Sequence, residues 1–112
     1  MMNIGEEKSD SVVIVAIEGR VDGTTAPELE NRILEVVDRG DVNVLLDCAG
    51  MTYVSSAGLR IFLTSARKCQ QSGGRLMICS LQPDCKTVIE TSGFHTVIDC
   101  HDNREAALAT VS

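Results

Sequence analysis

A chain of 112 residues is long enough for one compact domain with an ordinary hydrophobic core and leaves little room for a second. The hydrophobic fraction of 44% speaks against intrinsic disorder. A formal net charge of −6 repels phosphate backbones and anionic lipid surfaces, and no apolar run approaches the roughly 20 residues that cross a bilayer, so neither nucleic-acid binding nor membrane insertion is expected.

Taken in chain order, residues 3–8 can form an edge strand beside residues 11–19, Ser-Val-Val-Ile-Val-Ala-Ile-Glu-Gly. This second stretch is apolar on both faces and rich in β-branched side chains, as in a central strand covered on both sides. Asp22-Gly23 is a turn signal. A helix follows, with Thr25 as cap, Pro27 in the first turn and Glu28 in capping-box position; Ala26, Leu29, Ile33, Val36 and Val37 give its apolar stripe and Gly40 its stop. Residues 42–48 read as a second buried strand ending at Asp47 and Cys48. Residues 56–71 read as a second helix with Leu59, Phe62, Leu63, Ala66 and Cys69 inward.

Gly73-Gly74 ends that helix, and residues 76–80 form a third buried strand. Pro83 opens a third helix that stops at Gly93, and residues 97–99 make a short last strand. Asp102 with Glu105 can cap a terminal helix carrying Ala106, Ala107 and Val111. The order β-β-α-β-α-β-α-β-α predicts an α/β fold: one domain over residues 1–112 with a small mixed, largely parallel sheet and helices packed on it.

The sequence offers no legible catalytic, metal or cofactor site. Cys48, Cys69, Cys79, Cys85 and Cys100 form an odd set without C-x-x-C spacing, expected to be reduced, mostly core thiols in a cytoplasmic protein. Residues 1–10 lack the basic and apolar regions of a signal peptide. His95 and His101 read as surface histidines with no nucleophile or carboxylate arranged around them. The glycines of residues 19–23 and 72–75 fit neither a dinucleotide fingerprint nor a phosphate loop.

Residues 51–60 stand out instead. Ser55 and Ser56 sit where the chain enters a helix, at the carboxyl end of the sheet, where open α/β sheets place functional loops. Gly58 allows close backbone approach by a partner. Serine is also a preferred N-cap, so either hydroxyl can serve only to end the helix. Beyond it, Arg60, Thr64, Arg67 and Lys68 recur on one helix face as a basic stripe on an acidic protein, suited to an acidic partner.

The element order, the run Val44-Leu45-Leu46-Asp47, the run Val54-Ser55-Ser56-Ala57-Gly58-Leu59-Arg60, and Gly19-Arg20-Val21-Asp22 followed by Thr25-Ala26 together resemble the STAS domain. The resemblance is to its stand-alone bacterial form, the anti-sigma factor antagonists. It implies a non-enzymatic partner switch: a serine kinase that is itself an anti-sigma factor phosphorylates the antagonist and releases it, and a serine phosphatase restores the binding form. Aligned on Gly58-Leu59, the phosphoacceptor falls at Ser56. Ser55 stands where the family often has Asp and is the alternative acceptor; Ala57 stands where a second Ser or Thr often follows. Asp22, Thr25, Asp47, Ser55, Ser56, Ala57, Gly58, Leu59, Arg60, Arg67 and Lys68 are then the expected partner-binding residues, with Asp22 and Asp47 bordering the acceptor loop. STAS-like domains also serve as accessory subunits of membrane lipid transporters, which is the alternative role.

Overall fold

In the computed structural model, which describes residues 2–111, the strands form one five-stranded sheet in sequential order. Strand β1 (Met2–Ser9) pairs antiparallel with β2 (Val12–Val21). Strands β3 (Asn43–Val54), β4 (Arg75–Cys79) and β5 (Asp99–His101) continue the sheet in parallel. Helices α1 (Ala26–Asp38), α2 (Ser56–Gln71) and α3 (Pro83–Thr91) connect the strands from β2 onward, and α4 (Arg104–Ala109) follows β5. The expected element order and mixed sheet are therefore present, with one added 3-10 turn over Phe94–Thr96.

The alternation of the strands divides the core. Val13, Val15, Ile17, Val44 and Leu46 point to one face, where they meet the apolar stripes of α1, α2 and α3. Val12, Ile14, Leu45, Met77 and Cys79 point to the other, where they meet Ala107 of α4. Continuous apolar strands such as residues 12–15 follow from this two-sided cover.

The structure departs from the sequence reading at several boundaries. Strand β3 runs six residues past Cys48, to Val54, through a stretch read as loop. Its pairing with β2 passes through register irregularities near Ala16/Glu18 and Gly19/Arg20, which break the apolar alternation at Ala49-Gly50 without ending the strand. The last strand is Asp99–His101 rather than 97–99, because Gly93 takes the left-handed region at φ 80° and starts the 3-10 turn that delays it. Val97 is left exposed, while Ile98 enters the core.

Thr25 holds the N-cap position of α1 without capping it, so the expected box with Glu28 does not form. Its hydroxyl is committed elsewhere, donating to Arg20 O at 2.8 Å and accepting from Asp22 N–H at 2.9 Å. At α4, Asn103 rather than Asp102 caps, accepting from Ala106 N–H at 2.8 Å. Val111 lies beyond the helix but still packs on the smaller core. Leu63 is only half-buried, and Ile61 and Ser65 take inward places on α2.

All five cysteines are free, four of them buried, and burial raises their thiols, that of Cys69 to about 11. Their thiolates are thereby suppressed, in keeping with a packing role. His95 is exposed, but His101 is drawn in, contrary to its reading as a surface residue: its Nε2 is buried 3.1 Å from Asp99 Oδ1, out of line for a hydrogen bond.

Candidate functional site

The register of β2 with β3 carries Val21 opposite Val54, so both strands end together. The residues that follow, Asp22 and Ser55, therefore start two neighbouring loops. Ser55 N–H donates to Val21 O at 2.9 Å and ties these loops to each other.

Helix α2 rises directly from this junction. Ser55 is its N-cap, with extended backbone and a side-chain oxygen that accepts from Gly58 N–H at 3.3 Å. That use, together with half-burial, accounts for Ser55 as a structural residue. Ser56, the first helical residue, is exposed and its hydroxyl has no hydrogen-bond partner among the described residues. The two adjacent serines are thus divided between capping and display. The amides of Ser56 and Ala57 precede the first helical bond, Leu59 N–H to Ser55 O, and are not capped, so positive potential gathers beside the Ser56 hydroxyl.

The position of α2 depends on Gly58. A Cβ there would lie 2.8 Å from both Val21 Cγ1 and Val54 Cγ2 and 3.2 Å from Val21 O. The close approach that its lack of a side chain permits is therefore to the protein's own strand ends, and not to a partner as the sequence suggested. Leu59 is likewise core, and Ala57 is half-buried. Of residues 51–60, the outward-facing ones are Thr52, Tyr53, Ser56 and Arg60.

Across the junction, Asp22 organises its own turn. Its Oδ1 accepts from the Thr24 hydroxyl at 2.7 Å, Thr24 N–H at 3.0 Å and Thr25 N–H at 3.3 Å. The Thr24 hydroxyl bond, foremost among these, holds the carboxyl below the usual carboxylate range, so Asp22 presents a fixed negative charge beside Ser56's loop at neutral pH. Arg20 Nε lies 3.8 Å from Asp22 Oδ2, and the Arg20 guanidinium stacks 4.2 Å from the centroid of the Tyr53 ring. Tyr53, 41% exposed, also lines a shallow groove of about 90 Å³ with Thr52, Asp84 and Val88. This Arg20–Tyr53 ridge was missed in the sequence. The signal is their register pairing, which arises only because β3 continues past Cys48.

Asp47 does not border this loop. It lies in mid-strand, pairs in register with Ala16 and Cys79, and points to the α4 face, away from α2. At 9% exposure its carboxylate accepts from Ala49 N–H at 3.0 Å and Arg104 Nε at 2.6 Å, and Arg104 Nη1 also reaches Glu7 at 3.0 Å. Asp47 thus anchors the short terminal helix to the sheet.

Along α2, Arg60 and Arg67 are exposed and without ion-pair partners among the described residues, while Lys68 turns to Asp38 of α1 at 3.9 Å. The basic stripe is therefore carried chiefly by its two arginines. A cleft of about 310 Å³ is lined by Leu81, His95 and His101 among others, and neither serine lines it. Among the described residues no group of His, Cys, Asp and Glu is placed to hold a metal ion, and no helix is long and apolar enough to cross a membrane.

The chain and its mixed five-stranded sheet match known proteins. The STAS domain model matches residues 3–107, and the chain belongs to that family. BtrV of Bordetella bronchiseptica, a candidate anti-sigma factor antagonist, is 37% identical over 108 residues, covering 96% of this chain and 93% of its own. An anti-sigma factor antagonist from Mycobacterium paratuberculosis superposes with a TM-score of 0.90 at 24% identity, over 99% of this chain and 94% of that one. The phosphorylated form of the Bacillus cell fate determinant SpoIIAA superposes with a TM-score of 0.74 at 17% identity, over 98% and 100%. These two superpositions speak to the fold alone.

Proposed function

We propose that this protein is a cytoplasmic anti-sigma factor antagonist that works by partner switching, with Ser56 as the phosphoacceptor. The observation that carries the reading is the division of labour between the serines: Ser55 is spent on the cap, and Ser56 is displayed with a free hydroxyl. The 37% identity to BtrV supports the same role, and SpoIIAA, of the same fold, exists in a phosphorylated form.

In this reading an anti-sigma factor serine kinase docks over Ser56, Asp22, the Arg20–Tyr53 ridge and the start of the basic stripe. The Ser56 oxygen forms a new bond to the γ-phosphorus of ATP as the bridge to the β-phosphate breaks, ADP leaves, and the hydroxyl proton passes to a base on the kinase. The product carries about −1.5 to −2 added charges at a helix N-terminus, where the uncapped amides of Ser56 and Ala57 favour them. The fold is therefore undisturbed. The partner's surface, shaped for a neutral hydroxyl, must instead desolvate a dianion, so the complex dissociates. A serine phosphatase resets the switch.

Titrating the unmodified and the Ser56-phosphorylated protein against a purified anti-sigma factor serine kinase from the same organism tests this. The unmodified form should bind and the phosphorylated form should bind at least about tenfold more weakly, a difference of about 1.4 kcal/mol. Equal affinities would contradict it.

A further inference from the structure

Arg60 is exposed, lacks an ion-pair or hydrogen-bond partner among the described residues, and stands in the second turn of α2. A cation so near a helix N-terminus faces the positive end of the dipole, and Arg60 has no ion pair among the described residues to offset that. Four residues separate it from Ser56, which puts both side chains on one helix face with Cβ atoms about 6 Å apart. An acidic group on the N-terminal member of such a pair is the favourable orientation.

The other cations are less well placed. Arg20 is stacked on Tyr53 and faces Asp22. Arg67 lies eleven residues along the helix from Ser56, about 16 Å at 1.5 Å per residue, and Lys68 turns toward Asp38.

We infer that Arg60 is the intramolecular counter-ion of a phosphate on Ser56, so that phosphorylation both adds a dianion and withdraws Arg60 from the basic face offered to the partner. This rests on the reading of Ser56 as phosphoacceptor. It extends that reading by making one event act twice on the docking surface: the charge that repels the partner also neutralises a cation that attracts it. Arg67 keeps its charge in both states.

The test places phosphoserine at position 56 by directed incorporation during translation of the full chain, so that it needs no kinase. The ionisation of the phosphate is then followed by phosphorus NMR at low salt. A neighbouring cation favours the dianion and lowers the pH of half-ionisation. Arg60→Gln should raise that midpoint by about 0.3 pH unit, as expected of a helical pair of this spacing. Arg67→Gln should leave it unchanged, and added salt should shrink the Arg60 effect. Superimposable curves for the wild-type and Arg60→Gln phosphoproteins, or an equal shift from Arg67→Gln, would overturn the counter-ion role. Either result would leave the acceptor assignment standing, since that depends on where the kinase puts phosphate.

Discussion

Gly58→Ala should destabilise the protein by about 1–3 kcal/mol, in the range of overpacked cores. The added methyl would meet Val21 Cγ1 and Val54 Cγ2 at 2.8 Å, and both valines are buried at strand ends with little rotameric freedom. Alanine has the better helix propensity, by up to about 1 kcal/mol in a helix interior, but position 58 is in the first turn, where that gain is smallest. The clash therefore wins, and relief of it requires α2 to back away from the strand ends. Since Ser55 N–H bonds to Val21 O at the same point, the acceptor loop should shift with it. A fall in the urea midpoint at unchanged slope would show the expected effect. A midpoint at or above wild type would show that Gly58 is not the packing constraint described.

Ser56→Asp should separate binding from stability. A permanent carboxylate at the first helical position sits beside uncapped amides, so the folded state should change by no more than about 0.5 kcal/mol, in the stabilising direction. Binding to the kinase should weaken about a hundredfold, or about 3 kcal/mol, because a group that meets the partner as a neutral hydroxyl becomes charged and must be desolvated. Ser56→Ala should keep binding and lose phosphorylation. Matched calorimetry of unfolding and of kinase binding on the same preparations checks both halves. A large loss of stability in Ser56→Asp would mean that Ser56 is a packing residue and not a displayed one.

The sequence carried the element order because each element announces itself locally. Pro27 and Pro83 open helices, Gly40, Gly73 and Gly93 end them, and the two-sided apolar runs at 12–15 and 44–46 mark covered strands. The position of Ser55 and Ser56 at a helix start was legible for the same reason. What stayed hidden depends on pairing between distant segments. The extension of β3 to Val54 comes from its continued pairing with β2 through irregular registers, which no local pattern encodes. With that extension unseen, Asp47 was placed at a strand end by the acceptor loop, whereas strand parity turns it to the α4 face and Arg104. The Arg20–Tyr53 stack was lost to the same cause. Gly58 was legible as a place of close approach, but which surface approached it was decided by the meeting of Val21 and Val54.

The measurement that bears most directly on the central claim is the location of phosphate after the protein is incubated with an anti-sigma factor serine kinase from the same organism and ATP. Wild type, Ser55→Ala and Ser56→Ala would be digested and mapped by mass spectrometry. Phosphate on Ser56 in wild type and in Ser55→Ala, with none incorporated into Ser56→Ala, is the result the geometry predicts, since Ser55 is held by Gly58 N–H and Ser56 is free. Full incorporation into Ser56→Ala, or phosphate on Ser55 in the wild-type protein, would contradict it.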